Sequence, residues 1–205
     1  MGITKNKLYF KTNLNLFEYI TIQSLWGSKK NKFNCVLNSH ALGIRNGFAI
    51  FRSNVLVEYL NRCSILCYNV ILNKGDIAFL LPSKFNDSTI FNDKIKKLIV
   101  FFSLRSLQPF YLNKRINSLL ITNYNKKPCI VIIPSIIQER FFLKEFIANF
   151  IPFIHIESGN FDYDKGSYSI LGNNTSLDYV FFCYKFISYF IIRSTLLIFF
   201  KDKLF

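Results

Sequence analysis

Residues Pro128–Pro152 read PCIVIIPSIIQERFFLKEFIANFIP, and this stretch decides the fold class. A proline opens the apolar run Cys129–Ile133, and Pro134-Ser135 break it. An amphipathic stretch follows, with Glu139 and Glu145 on a face that also carries Arg140 and Lys144. Ile151-Pro152 then opens a second apolar run, Phe153–Ile156. Strand, turn, helix, strand is one βαβ unit, and a helical crossover makes its two strands parallel. Parallel strands need helices over their faces, so the unit points to an α/β protein.

Working outward, residues 13–25 predict a helix with a weak Asn cap, followed by a basic loop, Gly27–Lys32. Phe33–Phe51 reads as two extended pieces joined around Gly43–Gly47, where Asn46-Gly47 is a tight-turn pair. Ser53 caps a helix running through Asn73 and ended by Lys74-Gly75. Asp76–Leu81 predicts a buried strand, Asn92–Leu104 a second basic helix, and Ile116–Ile121 a short strand. After Ile156 comes a Gly-, Asn- and Asp-rich loop, Glu157–Asn174, and then a long helix from Ser176. This alternation predicts a three-layer, doubly wound α/β fold of the flavodoxin or Rossmann kind. It has a mostly parallel sheet of about five strands with helices on both faces. The 205 residues make a single domain, with 1–12 as an N-terminal extension and 196–205 as a C-terminal tail.

Composition carries two messages. The chain holds 24 Phe and 11 Tyr, with Asn abundant and Gly scarce, a set that A/T-rich codons favour and that suits a small organellar genome. Its 26 basic and 12 acidic residues give a net charge of +14, which calls for an anionic partner. Nucleic acid leads and an anionic membrane surface follows, with a solvated basic surface as the plain alternative. The cations gather at Lys29–Lys32, Lys94–Lys97, Lys114-Arg115 and Lys126-Lys127, mostly with Asn beside them. Asn suits loops and hydrogen-bonds phosphate and sugar.

Cys35, Cys63, Cys67, Cys129 and Cys183 include no CxxC pair, and their odd number argues against a disulfide framework or a zinc ribbon; buried thiols are expected. The N-terminus has no secretory, myristoylation or transit pattern. Phe181–Phe200 has the length of a membrane span, but Lys185 and Arg193 interrupt it at a cost of roughly 2.5–3.5 kcal/mol each near a bilayer centre. A helix with one polar side, buried in a protein, fits better.

Three places resemble a known family, ribosomal protein S-two of the small subunit in its bacterial and organellar form. Ser24-Leu25-Trp26-Gly27, the basic loop and Gly43–Ile50 are similar to its opening, in which a glycine–arginine–asparagine–glycine turn leads into a strand. Pro128, Val131–Ile133, Glu139, Leu143, Glu145 and Ile151-Pro152 match its second signature. Tyr168–Asn174 looks like the segment before its last helix. The resemblance spans roughly residues 14 to 195. The chain departs from the family's pattern at Cys129, at Glu157–Asn160, at Leu171 and at Asn174. The family's protruding helical hairpin between Leu119–Asn123 and Pro128 is missing, so the contacts it makes are not expected here.

The resemblance implies a structural constituent of an organellar small ribosomal subunit, in the mitochondrial matrix by preference and a plastid otherwise. It would bind small-subunit ribosomal RNA and neighbouring ribosomal proteins, with no catalysis, small-molecule substrate, homo-oligomer or cofactor beyond the Mg²⁺ of the RNA itself. Candidate RNA-binding residues are Lys29, Lys30, Lys32, Arg45, Asn46, Lys84, Lys114, Arg115, Lys126 and Lys127, all in predicted loops or a turn. His40 near the turn is another possible RNA contact, whereas His155 alternates within an apolar strand and reads as core. Glu157, Asp162 and Asp164 read as a solvated loop rather than a cation site, and no metal site is expected. GxGxxG and GxxxxGK[ST] are absent, which weakens the reading as a nucleotide-binding enzyme. The remaining alternative is a single-span or peripheral organellar membrane protein anchored by residues 181–200.

Overall fold

The computed structural model describes residues 24–33, 35–79, 128–133, 146–159 and 168–204. Most of helix 13–25, the end of strand Asp76–Leu81, the helix at Asn92–Leu104, the strand at Ile116–Ile121 and residues 134–145 lie outside them. So do the extension 1–12, the site of the missing hairpin and the end of the C-terminal tail.

The described residues form two sheets. Strands β1 (Trp26–Lys29), β2 (Ala41–Arg45) and β3 (Phe48–Phe51) form an antiparallel ribbon in the order β1-β3-β2. Strands β4 (Ile77–Phe79), β5 (Ile130–Ile133), β6 (Phe153–Glu157) and β7 (Tyr168–Leu171) form a parallel sheet in that order. Helix α1 (Ser53–Leu72) precedes β4, and α2 (Leu177–Leu204) follows β7.

The two apolar runs do form a parallel pair: Val131, Ile132 and Ile133 sit opposite Phe153, Ile154 and His155. The register keeps one face apolar across the sheet. Ile77, Phe79, Ile130, Ile132, Ile154, Ile156 and Ile170 join one buried cluster. Side chains alternate across a strand, so the intervening residues face the other way. Ala78, Val131, Ile133, Phe153 and His155 on that second face are also buried. Burial on both faces explains why β5 is an unbroken apolar run.

Helices α1 and α2 lie against each other over the first face. Helix α1 buries Leu56, Leu60, Cys63, Cys67 and Ile71, the spacing of one helical stripe. Helix α2 buries Tyr179, Val180, Cys183, Tyr184, Ile187 and Ile191. Each fully buried aliphatic side chain contributes about 1.5–3 kcal/mol, far above what helix propensity supplies. Both α1 and residues Leu177–Phe200 have the length and apolar character of a membrane span, yet each places one face in this core. Lys185, Tyr189 and Arg193 lie exposed along α2 on the side away from that core.

Four expectations need correction. Ser53 is the first helical residue, the cap position falls on Arg52, and no side chain caps the helix there. The basic loop at Gly27–Lys32 is instead β1 followed by a single 3-10 turn, because Trp26 and Lys29 pair with Ile50 and Phe48. Residues Cys35–His40 are likewise 3-10 helix, leaving only Ala41–Phe51 as the extended hairpin. The loop Glu157–Asn174 also conceals β7, whose residues Tyr168–Leu171 pair with Ile154–Glu157.

Helix α1 ends as expected around Lys74-Gly75. The Gly75 amide donates to the Val70 carbonyl (2.9 Å) and the Lys74 amide to that of Ile71 (2.8 Å). This is a Schellman closure with Lys74, not a glycine, in the left-handed position (φ 58°). Gly75 is needed for space, since a Cβ there would lie 2.8 Å from Val70 Cγ1. The turn after residues 146–148 repeats the device, with Phe150 left-handed (φ 54°) and the Ile151 amide donating to Phe146.

Candidate nucleic-acid interface

Asn46 and Gly47 both have positive φ, 51° and 77°, the conformation of a two-residue turn that matches the twist of β2 and β3. The Lys30 amide donates to the Gly47 carbonyl at 2.8 Å, which holds the 3-10 turn Lys30–Lys32 against the hairpin tip. Two cation groups far apart in the chain are thereby brought together. Lys29, Lys30, Lys32, Arg45 and Asn46 are all exposed and share this end of the ribbon. Residues 24–52 also include Arg52 and contain no Asp or Glu, so no carboxylate within the ribbon's own sequence offsets these charges.

The ribbon is fixed to the parallel sheet. The Ser28 amide donates to the Ser158 carbonyl (2.7 Å), and the Asn173 amide donates to the Ser24 carbonyl (3.1 Å). Gly27 permits this approach: a Cβ would lie 3.1 Å from both Phe51 Cε2 and the Ser158 carbonyl oxygen. The Phe33 ring covers Gly159, where a Cβ would fall 2.5 Å from the ring, and it also packs against Phe51 with centroids 5.8 Å apart. Residues 24–28 therefore cross the carboxyl ends of β6 and β7, the usual ligand crevice of open α/β sheets. The cations stand on a rigid support.

An open cleft of ≈ 450 Å³ runs beside β2, lined among others by Lys30, Phe33, Asn38, Leu42, Gly43 and Ile44. Leu42 and Ile44 are 74% and 55% exposed, unusual for large aliphatic side chains on a strand. β2 is an edge of its sheet. Asn38, Leu42 and Ile44 were not legible as site residues, because nothing in their sequence separates a half-buried strand from an exposed one. Lys84, Lys114, Arg115, Lys126 and Lys127 lie outside the described residues.

His40 is set back from the tip: it shares a 3.2 Å hydrogen bond with Tyr59 Oη and packs edge-on against that ring. His155 is buried, as its strand position implies, with Nε2 3.4 Å from Glu157 Oε2. Glu157 corrects an expectation: it ends β6 and is buried, not part of a solvated loop, while Asp162 and Asp164 are outside the described residues. Among the described residues no cluster of three His, Cys, Asp or Glu side chains is arranged to hold a metal ion. Burial pushes the Cys63 thiol up to about 12 and raises those of Cys67 and Cys183 still further, so all three are protonated at neutral pH. Cys129 is exposed.

No protein-family model matches this chain, and no curated protein matches it.

Proposed function

We propose that this chain is a structural protein of an organellar small ribosomal subunit, mitochondrial by preference, that binds small-subunit ribosomal RNA and neighbouring ribosomal proteins without catalysing a reaction. The observation that carries the proposal is the ribbon: Lys29, Lys30, Lys32, Arg45 and Asn46 exposed together in a segment with no carboxylate. Such a surface gains affinity from phosphates and releases their counterions. Structured RNA is read largely by shape, through backbone and hydroxyl contacts, and needs no catalytic constellation.

The resemblance to ribosomal protein S-two supports the reading at two points. The Val131–Ile133 part of its second signature falls on the parallel strand β5 and Ile151-Pro152 leads into β6, and its tyrosine-to-asparagine segment falls on β7 and the Gly172 turn. The same proposal includes a three-layer doubly wound sheet of about five strands, its second face covered by the helix that the sequence predicts ahead of the Phe150 turn. Phe146 of that turn is buried against Phe153, with centroids 6.2 Å apart. The exposed Leu196, Leu197 and Phe200 near the end of α2 would be covered by neighbouring ribosomal proteins.

Sedimentation of organelle lysate tests the proposal. The chain should co-migrate with intact small subunits and leave that fraction when magnesium is removed. Migration at the position of a free protein in both conditions would contradict it. The membrane-span alternative has the length of Leu177–Phe200 in its favour. A carbonate wash of organelle membranes separates the two, because a spanning helix stays in the pellet.

A further inference from the structure

We propose that the cleft beside β2 receives an unstacked base of single-stranded RNA while the cations around it hold the flanking phosphates. The inference rests on the RNA-binding reading above and names the form of RNA that the ribbon takes.

Three observations lead there. First, the cleft's ≈ 450 Å³ lies within the ~300–1,000 Å³ that small organic groups occupy in proteins. Its walls combine apolar and polar groups as a base requires. Leu42 and Ile44 offer aliphatic surface to a base face, and exposed Asn38 offers an amide that both donates and accepts to a base edge. Second, the wall formed by Phe33 is held in place, its ring seated between Phe51 and Gly159. Third, Lys30 lines the cleft itself, and its backbone bond to Gly47 brings Lys29 and Arg45 to the same end.

An A-form duplex keeps its bases stacked and shows this surface only phosphates and hydroxyls. It would use Lys29, Lys30 and Arg45 and leave Leu42 and Ile44 in water. A single strand uses both sets. Charge complementarity favours a polyanion over a peptide added to the β2 edge, since no carboxylate of residues 24–52 competes for the cations.

The test measures binding of the full chain to a labelled uridine homopolymer and to an RNA duplex of equal length, at one low salt concentration. The single strand should bind more tightly. Leu42→Ala/Ile44→Ala and Asn38→Ala should each weaken the single strand by about tenfold, the order of a lost apolar contact or base-edge hydrogen bond, and leave the duplex unchanged. Lys30→Ala should weaken both. Gly43→Phe gives an independent check if an alanine variant folds poorly. Gly43 lines the cleft and a Cβ there meets nothing within 4 Å, so a bulky side chain is added at its wall without a clash. A single-strand to duplex ratio unmoved by all of these variants overturns the inference while leaving the RNA reading intact. So does an acidic peptide that displaces the homopolymer at equal concentration, which would assign the cleft to protein. Binding of neither RNA by the wild-type chain would sink the RNA reading itself.

Discussion

The two sheets are built from the same pool of Ile, Leu and Phe and put it to opposite uses. In β5 all four residues are buried, whereas in β2 four of five are exposed. The parallel sheet is a core, covered on one face by α1 and α2. The ribbon is a platform, fastened at Ser28 and Ser24 and open along β2. In a chain so rich in Phe and Ile, hydrophobicity alone does not tell these roles apart. Pairing partners, burial and local charge do.

The sharpest way to break the comparison is at the sheet's own turn. Gly172 has φ 145°, and a Cβ there would lie 2.3 Å from the Tyr179 ring, whose hydroxyl donates to the Leu171 carbonyl at 2.6 Å. Gly172→Ala combines overpacking with backbone strain and should cost roughly 2–5 kcal/mol in chemical denaturation. Ile132→Ala, in the core of the same sheet, should cost about 2–5 kcal/mol. The matching change in the ribbon, Ile44→Ala, should stay within about 0.5 kcal/mol. Equal losses at Ile132 and Ile44 would mean that the ribbon is as much core as the sheet.

The thiols sharpen the comparison through pH. Cys63 on α1 faces β7, and its Sγ is 3.6 Å from the Ser169 carbonyl oxygen. Its folded thiol is raised from the ordinary 9.0 to about 12, so the unfolded chain loses this proton first. Between about pH 9 and about pH 12 the unfolded state binds fewer protons, and stability falls as pH rises; below pH 9 the contribution is fully present. Denaturation midpoints that stay flat from neutral pH to beyond pH 9 would place these thiols outside the core. Cys129 should react with a thiol reagent in the native state, and Cys63, Cys67 and Cys183 only after unfolding.

On the ribbon the expected effect is on binding rather than folding. Removing one phosphate contact at Lys29, Lys30 or Arg45 should lower the slope of log affinity against log salt by about 1. Melting temperature should not move, because these side chains are exposed. A small effect of opposite sign lies at the two non-glycine helix closures. Lys74→Gly and Phe150→Gly should each stabilise the chain by about 0.5–1 kcal/mol, since glycine enters the left-handed region without steric cost.

Much of the core was legible because its signals are local. Ile130–Ile133 and Phe153–Ile156, each following a proline, could hardly be anything but buried strands, and Asn46-Gly47 announces its turn. β7 was hidden because its four residues start with an exposed Tyr168 and sit among Gly, Asn and Asp. β1 was hidden because Ser28-Lys29 look like a loop until the pairing with β3 is known. Glu157 was misread for a related reason: its burial comes from the strand end and from His155 beside it, neither of which residue type reveals. The candidate site was legible as two cation groups and illegible as one surface. The contact that unites them, the Lys30 amide on the Gly47 carbonyl, is made by backbone alone.

The central claim is that the cationic ribbon meets ribosomal RNA. Ultraviolet crosslinking in intact organelles, followed by mass spectrometry of RNA–peptide adducts, tests it most directly. The account predicts adducts to small-subunit ribosomal RNA on the peptides spanning Lys29–Asn46. Abundant adducts elsewhere in the chain with none on those peptides, or no adducts to ribosomal RNA at all, would contradict it.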